Sequence, residues 1–351
     1  MTYTIPFGVE PGGIKMQVTE VVLPDKIFNF SGQTKFDTWK LREAFEKAGW
    51  SAYSEWLVNE LPFCLQGIRD LAEAFPFWQR RKHTGRPSLS EKVLLVGFMV
   101  RQIFGATFRA TEGILKMFRE YLGLNSVPDY SVFSKKNASK RWLHIWQRFH
   151  KFVLELLPKR KAVVATDATG YSGRKRGWCE TPHAMRAAEN WVKVHAAIEI
   201  DSFLILNYNL TKSKVHDSQM FESVWADLPE NVIPVRSLAD SAYTGETCIQ
   251  AARNAGAAAF HDVKSNAVYV DEPETGYQKL VHFARHWPNR FRELYAKRAH
   301  AETTFSMIGE GLGYRIRCRS KIGRKNEVQS KICTHNFRVL AACSYLTQSL
   351  V

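Results

Sequence analysis

Acidic residues are the minority charge in this chain: 34 Asp and Glu stand against 49 Lys and Arg over 351 residues, a net charge of +15 at pH 7 with a pI near 9.5. The shortage points away from cationic partners and toward a polyanion, which binds such a surface with release of counterions. Cysteine is sparse. The six, at 64, 179, 248, 318, 333 and 343, include no Cys-x-x-Cys pair and no closely spaced Cys/His set, which excludes a zinc finger. Long hydrophobic runs are absent too, since the longest apolar stretch, Val93–Val100, falls far short of the roughly 20 residues that cross a bilayer. The N-terminus lacks a basic region followed by an apolar core, so the expectation is a cytosolic chain with reduced thiols and no membrane partner. No internal repeat or low-complexity tract is visible. What is present is a 45% hydrophobic, 13% aromatic composition, enough for a sizeable core and, at this length, about two domains.

Residues 1–35 mix Gly, Pro and short β-prone pieces and read as a peripheral segment. From 36 to 157 apolar positions recur every three or four residues, in Ser90–Phe104, Thr111–Leu122 and Trp142–Leu157, which predicts an all-helical domain. Pro87 with Ser88 or Ser90 opens a helix that Glu91 helps to cap, just after Arg81, Lys82, His83 and Arg86. Gly105–Thr107 breaks that helix, Thr111 starts the next, and Val127–Ser131 turns into a basic helix over Lys135–Arg141. Two readings stay open, a helix-turn-helix that touches DNA and a bundle whose basic residues form a solvated face.

From Lys161 the texture changes to β-branched runs at Ala162–Thr166, Val192–Ile200, Phe203–Leu210, Val232–Ala239 and Ala257–Val263. Asp201-Ser202 reads as a two-residue hairpin link, and Asp217 as the N-cap of the helix after the third run. The order β-β-β-α-β-α-β-α predicts an α/β domain over 158–351. It suits a ribonuclease-H-like mixed five-stranded sheet flanked by helices, preceded by the helical domain.

In that order the first and fourth strands lie side by side, which brings Asp167 and Asp240, each closing an apolar run, to neighbouring strand ends. Glu302 follows on a later helix, with Tyr295, Arg298 and Glu302 at i, i+3 and i+7 and so within roughly 60° on one face. Three such carboxylates form a cup of hard oxygen donors suited to Mg²⁺ or Mn²⁺. Two ions about 3.5–4 Å apart can activate an attacking oxygen and stabilise the leaving one at a phosphodiester. Arg298 and Tyr295 then meet a phosphate or orient the carboxylate. His195, His216, Trp178 and Trp191 are read as structural.

Thr166-Asp167-Ala168-Thr169-Gly170, Leu238-Ala239-Asp240-Ser241-Ala242-Tyr243 and the Tyr295-x2-Arg298-x3-Glu302 phrase, taken as a set, resemble the motifs of DDE transposases of bacterial and archaeal insertion sequences. Trp191–His195 resembles the family's second strand, and Lys214–Ser218 the segment before its first helix; the likeness runs from about residue 80 to 345. The resemblance implies catalysis by Asp167, Asp240 and Glu302 with Mg²⁺ or Mn²⁺, as two ions. It implies hydrolysis at the ends of an element to free 3′-hydroxyls, then their direct attack on target DNA. The implied partner is double-stranded DNA, as terminal inverted repeats and target, engaged by a dimer or higher oligomer in a cytoplasmic, nucleoid-associated setting. One departure stands out: the family signature often continues past the glutamate to a lysine, where this chain has Gly309. The stretch between Asp240 and Glu302 is also too short for the large insertion domain of some relatives.

Arg315, Arg317, Arg319 and Lys321 alternate with small or apolar residues, the pattern of an edge strand or arm laid along a DNA backbone, or of a solvated face. Arg174, Lys175 and Arg176, in the loop after Asp167, are further expected DNA contacts, as are Tyr295 and Arg298. Other functions compatible with the sequence are a metal-dependent nuclease that cuts without joining, and a domesticated or inactive DNA-binding protein.

Overall fold

The computed structural model describes residues 41–77, 89–173, 191–212 and 214–348. Five helices come first: α1 (Leu41–Ala74, broken at Gly49, where φ is 80°), α2 (Glu91–Ile103), α3 (Phe108–Met117), α4 (Tyr130–Asn137) and α5 (Lys140–Glu155). The starts of α3 and α4 follow hydrogen-bonding side chains more than apolar periodicity. Thr107 Oγ1 accepts from the Ala110 amide at 3.2 Å, so α3 begins before Thr111. Asp129 Oδ1 accepts from Ser131 N at 2.8 Å and opens α4, and the basic stretch Lys135–Arg141 divides at Ala138-Ser139 between α4 and α5. Glu91 does not cap α2; it pairs with Arg141 at 2.5 Å. The expectations on Arg81–Ser88 and on residues 1–35 lie outside the described residues.

The sheet contains β1 (Arg160–Tyr171), β2 (Val192–Glu199), β3 (Leu204–Thr211), β4 (Val232–Ala239) and β5 (Ala258–His261) in the order β3-β2-β1-β4-β5. The β1–β2 and β2–β3 pairs are antiparallel, and the β1–β4 and β4–β5 pairs parallel, the ribonuclease-H-like arrangement expected from element order. Helices α6 (Ser218–Ala226), α7 (Glu246–Asn254), α8 (Gly276–His286), α9 (Pro288–Tyr295), α10 (Ala299–Leu312) and α11 (Lys321–Gln348) complete the chain. The β2–β3 connection has four residues, not two. Phe203 there adopts φ 65°, and the turn is tied by Ser202 N donating to Glu199 Oε2 at 2.6 Å and Leu204 N to Ser202 Oγ at 3.2 Å.

Because side chains alternate across a pleated strand, the sheet has two apolar faces. Val164, Ala197, Leu206 and Phe221 of α6 join a cluster that continues through Phe98, Trp142 and Trp146 of the helical part. Ala165, Val194, Ala196 and Leu238 are covered by Ala301, Phe305 and Ile308 of α10, with Val328 and Ile332 of α11 beside them. No single described helix is long and apolar enough to cross a membrane.

Helix α11 ties these layers with polar groups. β3 is an edge strand, and its unpaired backbone needs partners when covered. Asn336 supplies both kinds: its Oδ1 accepts from Ile205 N at 2.9 Å and its Nδ2 donates to Ile205 O at 2.8 Å. His150 Nε2 also lies 2.8 Å from Ile205 O, and His335 Nε2 2.8 Å from Phe203 O. Replacing Asn336 by Ala strands the Ile205 amide and leaves its carbonyl to His150 alone, and a loss of about 1–3 kcal/mol is expected in urea unfolding.

Burial holds the His150 and His335 imidazoles down at about 4, despite the carbonyl acceptors that favour their charged forms. Unfolded, each titrates near 6.5. Below 6.5 the unfolded chain therefore binds more protons, so these two residues cost stability progressively as pH falls from 6.5 toward 4. The urea midpoint is expected to drop between pH 7 and 5, with a shallower drop in His335→Gln.

Candidate active site

Asp167 does not close β1. The strand runs on to Tyr171 because β2 pairs with it as far as Tyr171–Val192. Its parallel partner β4 stops at Ala239, opposite Thr166, so the next residue, Asp240, comes level with Asp167. The chain then turns through a 3₁₀ element, Ser241–Tyr243, with Asp240 Oδ1 accepting from Ala242 N at 2.9 Å. The pleat puts both acids on the face that carries Ala165 and Leu238, beneath α10.

Glu302 reaches this edge on α10. Tyr295 ends α9, Ala296–Arg298 forms a 3₁₀ turn, and α10 starts at Ala299, so the phrase is not one regular α-helix. Lys297 Nζ, 3.3 Å from Asp201 Oδ1, and His300 Nδ1, 2.8 Å from Ile200 O, dock the start of α10 on the β2–β3 turn. Arg298 Nη1 donates to Glu302 Oε1 at 2.6 Å, and its Nη2 lies 3.8 Å from Asp167 Oδ2. Arg298 thus bonds one carboxylate of the expected set and lies near a second.

Burial pushes the Asp167 carboxyl up to about 6; the Ala168 N–H and Arg298 oppose the rise, while Asp240 and Glu302 add to it. Burial also lifts the Tyr295 phenol to about 12, with Asp262, Asp240 and Asp167 contributing and Arg298 opposing. Its ring stacks on Phe291, centroids 5.7 Å apart. With Arg298 between Asp167 and Glu302, no three His, Cys, Asp or Glu side chains among the described residues group closely enough to hold an ion. The donor set nevertheless fits a hard divalent cation. All three are carboxylates, and the raised Asp167 pKa records desolvation and crowded negative charge that a dication would relieve.

Three features at this edge escaped the sequence reading. Asp262 follows β5, whose parallel register sets His261 against Ala239 and hence Asp262 beside Asp240; its amide donates to Ala239 O at 2.9 Å. The signal was an acid directly after a short apolar run. Asp217 makes no side-chain capping bond: its Oδ1 lies 2.7 Å from Lys193 Nζ and 3.1 Å from His195 Nδ1. Burial, with Lys193, depresses His195 to about 4 against the pull of Asp217, so the ring is neutral at pH 7. Tyr243 is buried with its hydroxyl unpartnered among the described residues, and burial raises its pKa with Asp217, Asp167 and Asp240 adding to the rise.

The Transposase DDE domain family matches residues 158–337, just over half of the 351-residue chain. The chain belongs to the DDE transposases. No solved structure matches it. Membership implies action on DNA, and the family generally uses divalent metal ions. In this DDE domain the matched span opens two residues before β1 and ends within α11, so it takes in both strand-end acids and the helix that carries Glu302.

The basic residues flanking the DDE acids are placed unequally. Arg174, Lys175 and Arg176 lie outside the described residues. Arg315–Ser320 is an extended arm, with Ser172 and Arg315 forming an isolated parallel bridge and Lys321 opening α11. Two of its arginines are engaged internally: Arg315 Nε donates to Gly173 O at 3.0 Å, and Arg317 Nη1 donates to Gly105 O. Arg319 and Lys321 are exposed.

Gly309, where the family pattern often carries lysine, is buried, and a Cβ built on it falls into the ring of Tyr314. Tyr314 thus occupies the room a side chain at 309 would need. Gly309→Ala is expected to cost about 1–3 kcal/mol in urea unfolding, as overpacking does. The cost should be largely relieved by a second change, Tyr314→Ala.

Proposed function

We propose that this DDE transposase cleaves DNA at the ends of its own insertion sequence and joins those ends to target DNA. Asp167, Asp240 and Glu302 are its catalytic carboxylates. The observation that carries the reading is the β1–β4 register, which sets Asp167 level with Asp240 on the sheet face that α10 covers with Glu302 at its first turn. These carboxylates would hold Mg²⁺ or Mn²⁺, as two ions, which would supply the Lewis acidity that phosphodiester cleavage and strand transfer require.

The chain's own groups prepare that site. Arg298 holds Glu302 beside Asp167 and offers a guanidinium suited to a phosphate once the ion pair loosens. Tyr295, kept protonated far above neutral pH, is a hydrogen-bond donor for a phosphate oxygen. Arg315, Arg317, Arg319 and Lys321, with Arg174, Lys175 and Arg176, are assigned to the DNA backbone, and pairing of two element ends calls for at least a dimer on DNA. The helical residues 36–157 serve as the DNA-binding part, and residues 158–351 as the catalytic part.

Asp240→Asn is expected to abolish Mg²⁺-dependent cleavage and strand transfer on a labelled duplex carrying the flanking inverted repeat, while leaving duplex binding largely intact. Glu302→Gln should lose joined products in the same assay. Undiminished activity in either variant would overturn the assignment of these acids, and cleavage without any joined product in the wild type would favour a nuclease.

A further inference from the structure

A groove of about 670 Å³ that none of the three acids lines lies between α2, α3 and α4 on one side and the Arg317–Ser320 part of the arm with the start of α11 on the other. Arg101, Arg109, Arg317 and Arg319 line it, and no Asp or Glu does. Arg109 is set at the rim by Tyr130: its guanidinium lies 4.5 Å from the centroid of the ring, and Nη2 is 3.4 Å from the hydroxyl. A cation–π contact of this kind fixes the guanidinium without neutralising it. Arg101 contributes a buried floor. It pairs with Glu327 behind it at 2.9 Å, and its Nε–H has no acceptor among the described residues. Gly323 lets α11 approach α4, where Asn137 Nδ2 donates to Gly323 O at 3.0 Å and would lie 3.3 Å from a Cβ at 323.

The opposite wall is held with equal care. Glu327 Oε2 accepts from Arg317 N at 3.0 Å and from Cys318 N at 2.8 Å, which fixes the backbone of the arm, and Arg317 reaches across to Gly105 O at the end of α2. One arm thereby connects both regions. At Ser172 it runs parallel to the continuation of β1, the strand that carries Asp167, and from Arg315 it leads into the groove. At about 3.3 Å per extended residue, Asp167 to Ser172 and Arg315 to Arg319 together span at most roughly 30 Å, or about nine phosphates of one strand at 3.4 Å each.

We infer that this groove is a second DNA-backbone site, in which Arg109 on the helical wall and Arg319 on the arm grip phosphates of the same duplex that is cut at the acids. The inference rests on the proposed function for its ligand and for the arm residues, and adds Arg109 and the helical wall as a second side that grips the same backbone. Four arginines with serine, threonine and tyrosine hydroxyls suit phosphate oxygens rather than base edges, so the site positions DNA without reading its sequence.

The test is fluorescence-anisotropy binding of the full chain to a duplex of about 40 base pairs of random sequence, across about 50–200 mM salt. The double variant Arg109→Ala/Arg319→Ala is expected to lower the slope of log affinity against log salt by roughly two, near one per lost phosphate contact. Arg319→Ala alone should remove about half of that change; its side chain makes no hydrogen bond or ion pair among the described residues, so folding is not at stake. Wild type that binds with the same slope and affinity as both variants overturns the groove and leaves the acids' assignment standing. Wild type that binds no duplex at all overturns both.

Discussion

The position of Glu327 is the constraint on which most of this architecture depends. It is a carboxylate almost wholly excluded from water, which is costly without partners. Burial alone would raise its pKa, yet Arg101 and the hydrogen bonds from Arg317 and Cys318 hold it below the usual carboxylate range. Glu327 sits on α11, and those partners come from two other places, α2 of the helical part and the arm after α10. A single satisfied charge therefore joins the helices to the catalytic sheet and sets the course of the basic arm. Neighbouring residues on α11 repeat the arrangement, with Gln102 Nε2 donating to Ser330 Oγ at 2.6 Å and Asn326 Nδ2 to Asn137 O at 2.7 Å. Lys331 Nζ closes the C-terminal end of α10 by donating to the Leu312 and Gly313 carbonyls. Partly satisfied, such a network would cost more than an apolar core, which makes the relative placement of these elements specific.

The acidic edge has a simpler origin. β4 is shorter than β1, so the chain leaves the sheet at Asp240 while β1 continues along β2. Asp167 is thus half-buried in mid-strand, whereas Asp240 sits at a chain turn that its own carboxylate caps. Arg298 then offsets the charge crowding from the helix side. The arrangement brings three carboxylates to one edge of the sheet, with the Arg298 guanidinium between Asp167 and Glu302.

Much of this was legible in the sequence. Strand runs followed by alternation with helices carry the topology, because apolar β-branched stretches have few other uses in a chain of this kind. The motif set around Asp167, Asp240 and Glu302 carried the family. Boundaries were less legible: the extension of β1 past Asp167 depends on pairing with β2, and the start of α3 on the hydroxyl of Thr107. Asp217 illustrates the limit most plainly. Its place before a helix predicts a cap, but Lys193 and His195, brought beside it by β2, outcompete the backbone amides.

By itself the sequence determined the family, the order of elements and the sign of the partner, since these depend on local pattern and composition. Tertiary structure alone decided that Asp262 stands beside Asp240, that Tyr314 fills the place of a side chain at Gly309, and that Arg109 faces Arg319 across a groove. Each of these pairings joins positions whose distance in space depends on strand register and helix packing. Local sequence carries no record of that distance.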